Sequence, residues 1–329
     1  MKSALLQDLD LIQGGESQSA PGLAVIPLFR GKSAEHHYLS LHQALQQRVI
    51  EISEVSEGGS VPRLKVRNSG SIPVLLLDGE ELRGAKQNRV LNTTVLVAGE
   101  CELTIPVSCT ESGRWSYSSR YFEESGNVMS PSFKAGKLED VTESLRMSGE
   151  FHSDQGQVWH DIDELHDRLD TFSPTSALSD AYAKRKEDLD RTLNAFPLQE
   201  GQCGILAMIE GNFTGLDLVS LPEVWKDIHD KIIRSYVLDI LHRYRQEHQA
   251  DPARLQEVFA QIAECAAEEF KGVGLGTDLR LESGTMVGSA LLWDSVPVHL
   301  GAYPRQPLRG YEERYHSPRH RSGRGDIVL

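Results

Sequence analysis

PVLLLDGEELRGAKQNRVLNTTVLV, residues 73–97, places a dense polar run between two apolar ones. The apolar residues 73–77 and 90–97 predict two buried strands. Between Asp78 and Arg89, eight of the twelve residues are charged or carry an amide, and Gly79 and Gly84 add backbone freedom. Polar groups held between rigid strands are typical of a binding or catalytic site, although a salt-bridged turn would give a similar pattern.

The sequence around this segment also predicts sheet. In CELTIPV, residues 101–107, apolar residues alternate with polar ones, as expected for a strand with one buried face. One short helix is predicted at residues 38–47. Further strands are predicted at residues 23–29, 49–55, 64–66 and 102–107.

From residue 139 onwards the apolar residues follow a helical period. Val158, Ile162, Leu165 and Leu169 form one stripe. A longer helix is predicted from a capping box at Ser220 to about residue 246, and another from residue 251 to a stop near Gly272. Strands return at residues 204–210, 278–281, 286–293 and 296–300, and residues 124–136 are expected to form a long loop.

These elements predict an α+β fold, with a β-rich N-terminal half and with helices and returning strands in the middle and C-terminal half. We expect an N-terminal segment at residues 1–21 and a single domain at residues 22–303, with a division near residue 135 as the alternative. Residues 304–329 carry six arginines against three acids and predict a basic, flexible tail. That tail either contacts an anionic partner or is a solvated terminus.

The composition excludes several classes of protein. A formal net charge of −14 over 329 residues opposes nucleic-acid binding. The four cysteines form no C-x-x-C pair, which argues against a zinc ribbon or a disulfide framework. No apolar run approaches the roughly 20 residues of a membrane-spanning helix. Acidic residues also interrupt the start of the chain, where a signal peptide would need an apolar centre. We therefore expect a cytoplasmic protein without a membrane partner.

Basic and amide side chains of the polar run predict a ligand site. Lys86, Arg89 and Arg114 could hold phosphate, since an ammonium or a guanidinium fork binds phosphate oxygens. Trp115 could stack against a base. The remaining predicted ligand contacts are the carboxylate of Asp78 and the amides of Gln87, Asn88 and Asn92.

Carboxylates of the same region are candidates for proton transfer, namely Glu80, Glu81 and Glu111. In a strand Glu80 shares the face of Asp78, whereas Glu81 points to the other side. Asp78 and Glu80 could hold magnesium beside a phosphate, but the pattern alone does not define a metal site or a cofactor.

Other reactive residues have plainer explanations. Cys109 lacks a nearby histidine in sequence and is expected to be buried and inert. His160 lies in an acidic stripe that predicts a solvent-facing helix surface. His299 could be a core histidine or a base, and Asp217 could belong to a simple hairpin or reach a ribose hydroxyl or a cation.

Four motifs together resemble a known family: LDGEELRGAKQNRVLN, IPVSCTESGRW, DQGQVW and GNFTGLDL. They are similar to the domain family associated with ADP-ribosylglycohydrolases and rhodanese-phosphatase superfamily proteins, a bacterial and viral group regarded as enzymatic. The resemblance covers roughly residues 22–303.

That resemblance implies a role near NAD and ADP-ribose metabolism, by association. We expect an intracellular enzyme that acts on an ADP-ribose-like or NAD-like nucleotide diphosphate, with hydrolysis as the expected reaction. The alternatives are a non-catalytic module that binds such a nucleotide or docks a partner, and an assembly protein whose polar run is a buried ionic network.

Overall fold

The computed structural model describes residues 1–32, 36–56, 58–241, 246 and 248–305. Within these ranges the chain forms helices and strands in an interleaved order. The helices are α1 (Lys2–Leu9), α2 (Leu41–Gln46), α3 (Pro131–Ser148), α4 (Gln155–Leu169), α5 (Leu178–Lys184), α6 (Lys186–Leu193), α7 (Pro222–Ile240) and α8 (Arg254–Glu264).

The strands precede, separate and follow these helices. They are β1 (Ile12–Gly14), β2 (Gln18–Ala20), β3 (Leu23–Arg30), β4 (Leu39–Ser40), β5 (Ile50–Glu54), β6 (Arg63–Asn68), β7 (Val74–Leu76), β8 (Glu80–Gly84), β9 (Arg89–Leu91), β10 (Val95–Val97), β11 (Cys101–Cys109), β12 (Phe122–Val128), β13 (Gln202–Ile209), β14 (Asn212–Val219), β15 (Ala266–Lys271), β16 (Thr277–Glu282), β17 (Met286–Trp293) and β18 (Val296–Pro304). Helix and strand are both abundant, which confirms the predicted α+β class.

A nine-stranded antiparallel sheet forms the centre of the fold. Its order is β1-β3-β13-β14-β18-β17-β16-β15, and β2 also pairs with β3. Every residue of β13 is buried, because both faces of this strand are covered. Ile205 and Ala207 pack in a core with Trp225 of α7, whereas Leu206 packs in a second core with Leu255 of α8. The continuous apolar run of β13 follows from this double burial.

A six-stranded sheet carries most of the polar run. Its order is β12-β8-β9-β11-β6-β5, and a smaller sheet, β10-β7-β4, shares its apolar core. β8 and β9 form a hairpin in which Glu81 lies opposite Val90. The turn of this hairpin holds residues 85–88, so the segment rich in amides and basic groups lies at the tip of two paired strands.

Several predicted boundaries are wrong. Residues 124–136 are not a long loop, because β12 pairs with β8 there and α3 starts at Pro131. α7 starts at Pro222 after Leu221, and Ser220 makes no side-chain cap. The residue at the N-cap position is Leu221, which has no side-chain acceptor, and proline suits the first helical position because its φ is already close to the helical value. Gly272 does not end a helix, since α8 ends at Glu264 and β15 follows.

The single strand predicted over residues 90–97 is divided. β9 ends at Leu91 and β10 begins at Val95. Between them, Asn92 donates a hydrogen bond to the carbonyl oxygen of Phe151 at 3.0 Å, and the Thr93 hydroxyl donates to the Asp278 carboxylate at 2.7 Å. These side-chain contacts hold the segment that connects β9 of the six-stranded sheet to β10 of the three-stranded sheet.

The predicted C-terminal tail lies almost wholly outside the described residues. β18 extends to Pro304, and the Arg305 guanidinium then pairs with Glu139 at 2.9 Å and with Glu282 at 3.0 Å. Residues 306–329 are not among the described ranges, so the tail stays a prediction. Within the described ranges, no helix combines the length and the apolar character needed to cross a membrane.

Candidate functional site

The carboxylates at the start of the polar run are buried in ion pairs with two helices. Lys137 of α3 donates to the Asp78 carboxylate and, at 3.0 Å, to the carbonyl oxygen of Leu91. Lys231 of α7 donates to the Glu80 carboxylate. All four charged groups are buried. Asp78 and Glu80 therefore anchor helices to the sheet, and the described residues contain no group of three or more possible ligands that could hold a metal ion.

A second buried cluster surrounds Asp217. Its carboxylate accepts hydrogen bonds from the Lys134 ammonium at 3.0 Å and from the hydroxyls of Tyr236 and Tyr303, each at 2.6 Å. Burial alone would raise the pKa of Asp217, but the Lys134 charge and these hydroxyls hold that pKa below its usual value. Asp217 lies in the β13–β14 hairpin predicted from sequence, with its oxygens engaged inside the protein.

Glu81 and Glu111 have opposite electrostatic environments. Glu81 is fully buried and accepts from Thr110 at 2.9 Å and from Asn127 at 3.0 Å, and burial raises its pKa. Glu111 accepts two hydrogen bonds from the Arg114 guanidinium, at 2.9 and 2.7 Å. Burial opposes ionisation of Glu111 as well, but the hydrogen bonds from Arg114 and other donors lower its pKa. At neutral pH Glu111 is thus held as a carboxylate.

Arg114 lies beside the hairpin turn that carries Lys86. One Arg114 nitrogen donates to the carbonyl oxygen of Ala85 at 2.8 Å, and another reaches the Asn88 side chain at 3.3 Å. The backbone N–H of Asn88 donates to the Glu111 carboxylate at 3.2 Å. The structure thus brings residues 85–89 and 111–115 together, and Arg114 and Glu111 hold the turn in place.

Lys86 lies between two exposed aromatic rings. Its Nζ is 5.3 Å from the ring centre of Trp115 and 5.1 Å from that of Tyr117, and it donates to the carbonyl oxygen of Gly58 at 2.7 Å. Trp115 is 49% exposed and Tyr117 is 53% exposed. Large aromatic faces with this exposure, held by a cation, can receive a planar ligand ring.

Arg89 lies against the Trp115 ring and is fully buried. Its guanidinium carbon is 5.8 Å from the ring centre of Trp115, and Nη1 donates to the Gln87 side chain at 3.0 Å. Nη2 lies 3.7 Å from an oxygen of Glu54, a residue of β5. The fully buried Arg89 could reach a ligand only after the covering side chains move.

An open cleft begins at Tyr117, and we call it the Tyr117 cleft. It has a volume of about 1170 Å³ and lies over β5, β6, β11 and the segment 117–121. Its lining residues with charged or aromatic side chains are Glu51, Glu54, Lys65, Arg67, Glu102, Tyr117, Arg120 and Tyr121. Sequence reasoning identified none of these lining residues. It identified Lys86, Arg89 and Trp115, which lie near Tyr117 and do not line the cleft. The run WSYSSRY, residues 115–121, was the available signal, since it interleaves aromatic rings with hydroxyls and an arginine.

Other predicted site residues lie away from the cleft. Asn92 accepts a hydrogen bond from the Ser108 hydroxyl at 2.8 Å in addition to its contact with Phe151. Cys109 is buried, and burial raises its pKa to about 11. His299 is buried beside the Thr94 hydroxyl, and burial lowers its pKa to about 4. His160 is exposed on α4, as its acidic stripe predicts.

The fold and the site define an α+β protein in which an exposed cluster of aromatic rings and basic side chains borders an open cleft. The chain belongs to the ARG and Rhodanese-Phosphatase-superfamily-associated Protein domain family, whose model matches residues 12–303. This match confirms the resemblance that the sequence motifs carry. Neither the curated proteins nor the solved structures contain a significant match to the chain.

Proposed function

We propose that this protein binds an ADP-ribose-like nucleotide diphosphate in the Tyr117 cleft. The observation that carries this proposal is the position of Lys86 between the exposed rings of Trp115 and Tyr117, at the edge of the cleft. A planar base can stack on such rings, and a lysine ammonium beside them can pair with phosphate. The family's association with ADP-ribosylglycohydrolase systems agrees with a ligand of this class.

Two arginines of the cleft are suited to the diphosphate. Arg67 and Arg120 line it, and neither forms a salt bridge with any residue in the described ranges. Lys65 is instead paired with Glu102 at 2.7 Å. A guanidinium binds phosphate oxygens through two parallel hydrogen bonds. The two arginines can therefore hold one or two phosphates.

The acids of the cleft limit the charge of its ligand. Glu51, Glu54 and Glu102 lie among the basic residues, so the lining is of mixed sign. Such a surface attracts polyanions weakly, because the carboxylates repel additional phosphates. It favours a ligand with a planar ring and few phosphates over a nucleic acid or a triphosphate.

A second candidate function is hydrolysis of the same ligand. It is favoured by the opposite pKa shifts of Glu81, raised by burial, and Glu111, lowered by Arg114 against the effect of burial. Neighbouring carboxylates with separated pKa values are how many enzymes assign acid and base. Glu80 is less suited, since its carboxylate is engaged by the Lys231 ammonium inside the protein. Because Glu81 is fully buried behind Thr110, binding has the stronger structural support.

Isothermal titration calorimetry with ADP-ribose tests the binding function. Trp115→Ala should weaken binding by roughly 5- to 150-fold, since stacking of a base on an aromatic ring contributes about 1–3 kcal/mol. Phe172→Ala is the matched control, because Phe172 is 76% exposed and lies outside the cleft. Equal affinities of wild type and Trp115→Ala, or no binding by wild type, would contradict the proposal.

The hydrolytic candidate has a separate test. Wild-type protein incubated with ADP-ribose or NAD should release a product that chromatography detects, and Glu81→Gln and Glu111→Gln should abolish this release. Glu81→Gln should keep its affinity for ADP-ribose. Tight binding by wild type without any product would exclude hydrolysis of these compounds and leave the binding function standing.

A further inference from the structure

Strand β15 forms one end of the nine-stranded sheet and is accessible along its whole length. It pairs with β16 from Ala266 to Lys271 and with no other strand among those that the structure describes. Its six residues are all exposed or half-buried, whereas the four central residues of β16 are buried. The outer edge of such a strand presents a row of backbone N–H and C=O groups with which a further strand can pair.

This edge lacks several features by which proteins block further pairing. Proline, a β-bulge or a very short strand would prevent the addition of a strand. β15 has six residues, no proline and an unbroken register with β16, whereas β1 at the opposite end of the sheet has three residues. Charged side chains are a further blocking feature. The placement of Glu269 and Lys271 therefore decides which strand β15 can accept.

The side chains of β15 alternate between the two faces of the sheet. On one face Glu268 pairs with α3, and Phe270 packs against an apolar cluster to which α3 contributes. On the other face the Glu269 carboxylate lies 2.6 Å from the terminal ammonium of Met1. Lys271 shares this second face, because side chains two positions apart in a strand point to the same side.

A second copy of the same strand is an occupant whose pairing can be examined residue by residue. When an antiparallel sheet continues across a two-fold axis, the axis is perpendicular to the sheet, so each face stays continuous from one copy to the other. Residues that lie opposite each other must then belong to the same face. This condition is met only when one residue of β15 lies on the axis.

Side-chain chemistry selects one of these registers. With Glu268, Glu269 or Lys271 on the axis, that charged group lies directly opposite its own copy, and like charges in this position are destabilising. An axis at either alanine provides no aromatic pair and no pair of opposite charges. With Phe270 on the axis, the two rings lie opposite each other, and Glu269 of each copy lies opposite Lys271 of the other. Aromatic pairs and opposite-charge pairs across strands both stabilise a sheet.

We propose that two copies of this chain pair antiparallel through β15, with Phe270 on the two-fold axis and Glu269 of each copy paired with Lys271 of the other. The two nine-stranded sheets then form one continuous sheet. β15 contributes no residue to the Tyr117 cleft, so this inference is independent of the proposed nucleotide binding. The paired segment is short and each copy carries a formal net charge of −14, so we expect a reversible dimer with a dissociation constant roughly in the micromolar range.

Sedimentation velocity of the full chain over a concentration series tests the inference. The wild-type protein should shift from monomer to dimer as its concentration rises. In Lys271→Glu the dissociation constant should rise by at least about fourfold, because two opposite-charge pairs become two like-charge pairs. Lys186→Glu is the matched control, since it changes the net charge by the same amount at a side chain of α6 that is 71% exposed, and it should keep the wild-type constant.

A mixture of two variants tests the register. Glu269→Lys alone should also dimerise more weakly than wild type, because lysines then lie opposite each other. Mixed in equal amounts, Glu269→Lys and Lys271→Glu restore opposite charges at both positions, so they should form a heterodimer more tightly than either variant pairs with itself. Melting temperatures of both variants verify folding, and the wild-type series tests the dimer even where a variant fails to fold.

Three results would overturn the proposal. Wild-type protein that stays monomeric at every concentration would show that Glu269 and Lys271 block the edge. A dimer with the same dissociation constant in Lys271→Glu and Lys186→Glu would form through another surface. A mixture that associates no more tightly than its separate variants would exclude the register with Phe270 on the axis.

Discussion

Lys231 and Glu80 form a buried ion pair that joins α7 to β8 across 151 positions of sequence. The second Glu80 oxygen accepts from the amide of Leu77 at 3.2 Å, and Lys231 also approaches the Glu124 carboxylate at 3.5 Å. The charges of the pair are thus matched and hydrogen-bonded inside the protein. This contact fixes the strand from which the turn with Lys86 extends.

Removal of one partner of this pair should destabilise the protein strongly. Lys231→Met leaves the Glu80 carboxylate buried without its cation, and such a change costs about 3–5 kcal/mol in free energy of unfolding. Urea denaturation at neutral pH measures the loss. The double variant Lys231→Met/Glu80→Met should recover a large part of it, because both charges are then absent.

An exposed pair provides the control for that measurement. Lys186 pairs with Asp190 on α6, and 71% of the Lys186 side chain is exposed. Lys186→Met should change the free energy of unfolding by less than about 1 kcal/mol, since water screens exposed ion pairs. An equally small change in the free energy of unfolding for Lys231→Met would contradict the burial of the Glu80 carboxylate with Lys231 as its partner.

His299 should make stability depend on pH between about 4 and 6.5. Burial lowers its pKa from 6.5 to about 4, against the attraction of the Asp217 and Asp78 carboxylates and with the repulsion of Lys134. The unfolded chain therefore binds more protons than the folded protein in this window. The stabilising contribution is complete above pH 6.5 and is lost as the pH falls to 4, by roughly 3 kcal/mol in total.

Urea denaturation at several pH values tests this dependence. His299→Gln should flatten the stability curve between pH 4 and 6.5, because glutamine does not titrate. His160→Gln is the control for the loss of a histidine at the surface, where 61% of the His160 side chain is exposed. An unaltered slope in His299→Gln would assign the pH dependence to other groups.

The fold could be predicted where local pattern and burial agree. The alternation in residues 101–107 predicts β11, and the continuous apolar residues at 204–210 predict β13, because a doubly covered strand needs no polar face. The long loop expected at residues 124–136 is wrong for a related reason. ESGNV in β12 is polar, and only its pairing with β8, with Phe122 and Val128 buried at its ends, makes it a strand.

The site could be located only in part. Composition marks residues 86–89 and 111–115 as polar and dense, and the structure places these two segments together through Arg114. Composition does not reveal that Asp78 and Glu80 face inward, because their partners Lys137 and Lys231 come from distant helices. The ion pair between Glu54 and Arg89 could not be predicted either, because it depends on how β5 and β9 are placed in the six-stranded sheet.

Only one cysteine should react readily with a thiol reagent. Cys101 is partly exposed, whereas Cys109, Cys203 and Cys265 are buried. Burial raises the pKa of Cys109 to about 11 and that of Cys203 to about 12, so little thiolate is present at neutral pH. Titration of native protein with an aromatic disulfide should give about one fast equivalent, which Cys101→Ser removes. Fast reaction of any remaining thiol in Cys101→Ser would contradict the burial of Cys109, Cys203 and Cys265.

The hairpin turn should tolerate no side chain at Gly84. Gly84 has φ +139°, and a side-chain carbon there would lie 2.6 Å from the carbonyl oxygen of Tyr121 and 2.7 Å from the Ser119 hydroxyl. Since Ser119 and Tyr121 line the Tyr117 cleft, Gly84→Ala must displace the cleft wall. We expect a loss of about 1–3 kcal/mol in free energy of unfolding and weaker binding of ADP-ribose.

Gly284→Ala is the matched control for this strain. No atom lies within 4 Å of a side-chain carbon placed on Gly284, and its φ lies outside the region that favours glycine. Its melting temperature and its affinity for ADP-ribose should equal those of wild type. If Gly84→Ala loses stability but binds ADP-ribose as tightly as Gly284→Ala, the wall formed by Ser119 and Tyr121 does not contact the ligand. The binding surface would then consist of Lys86, Trp115 and the side of the cleft formed by β5 and β6.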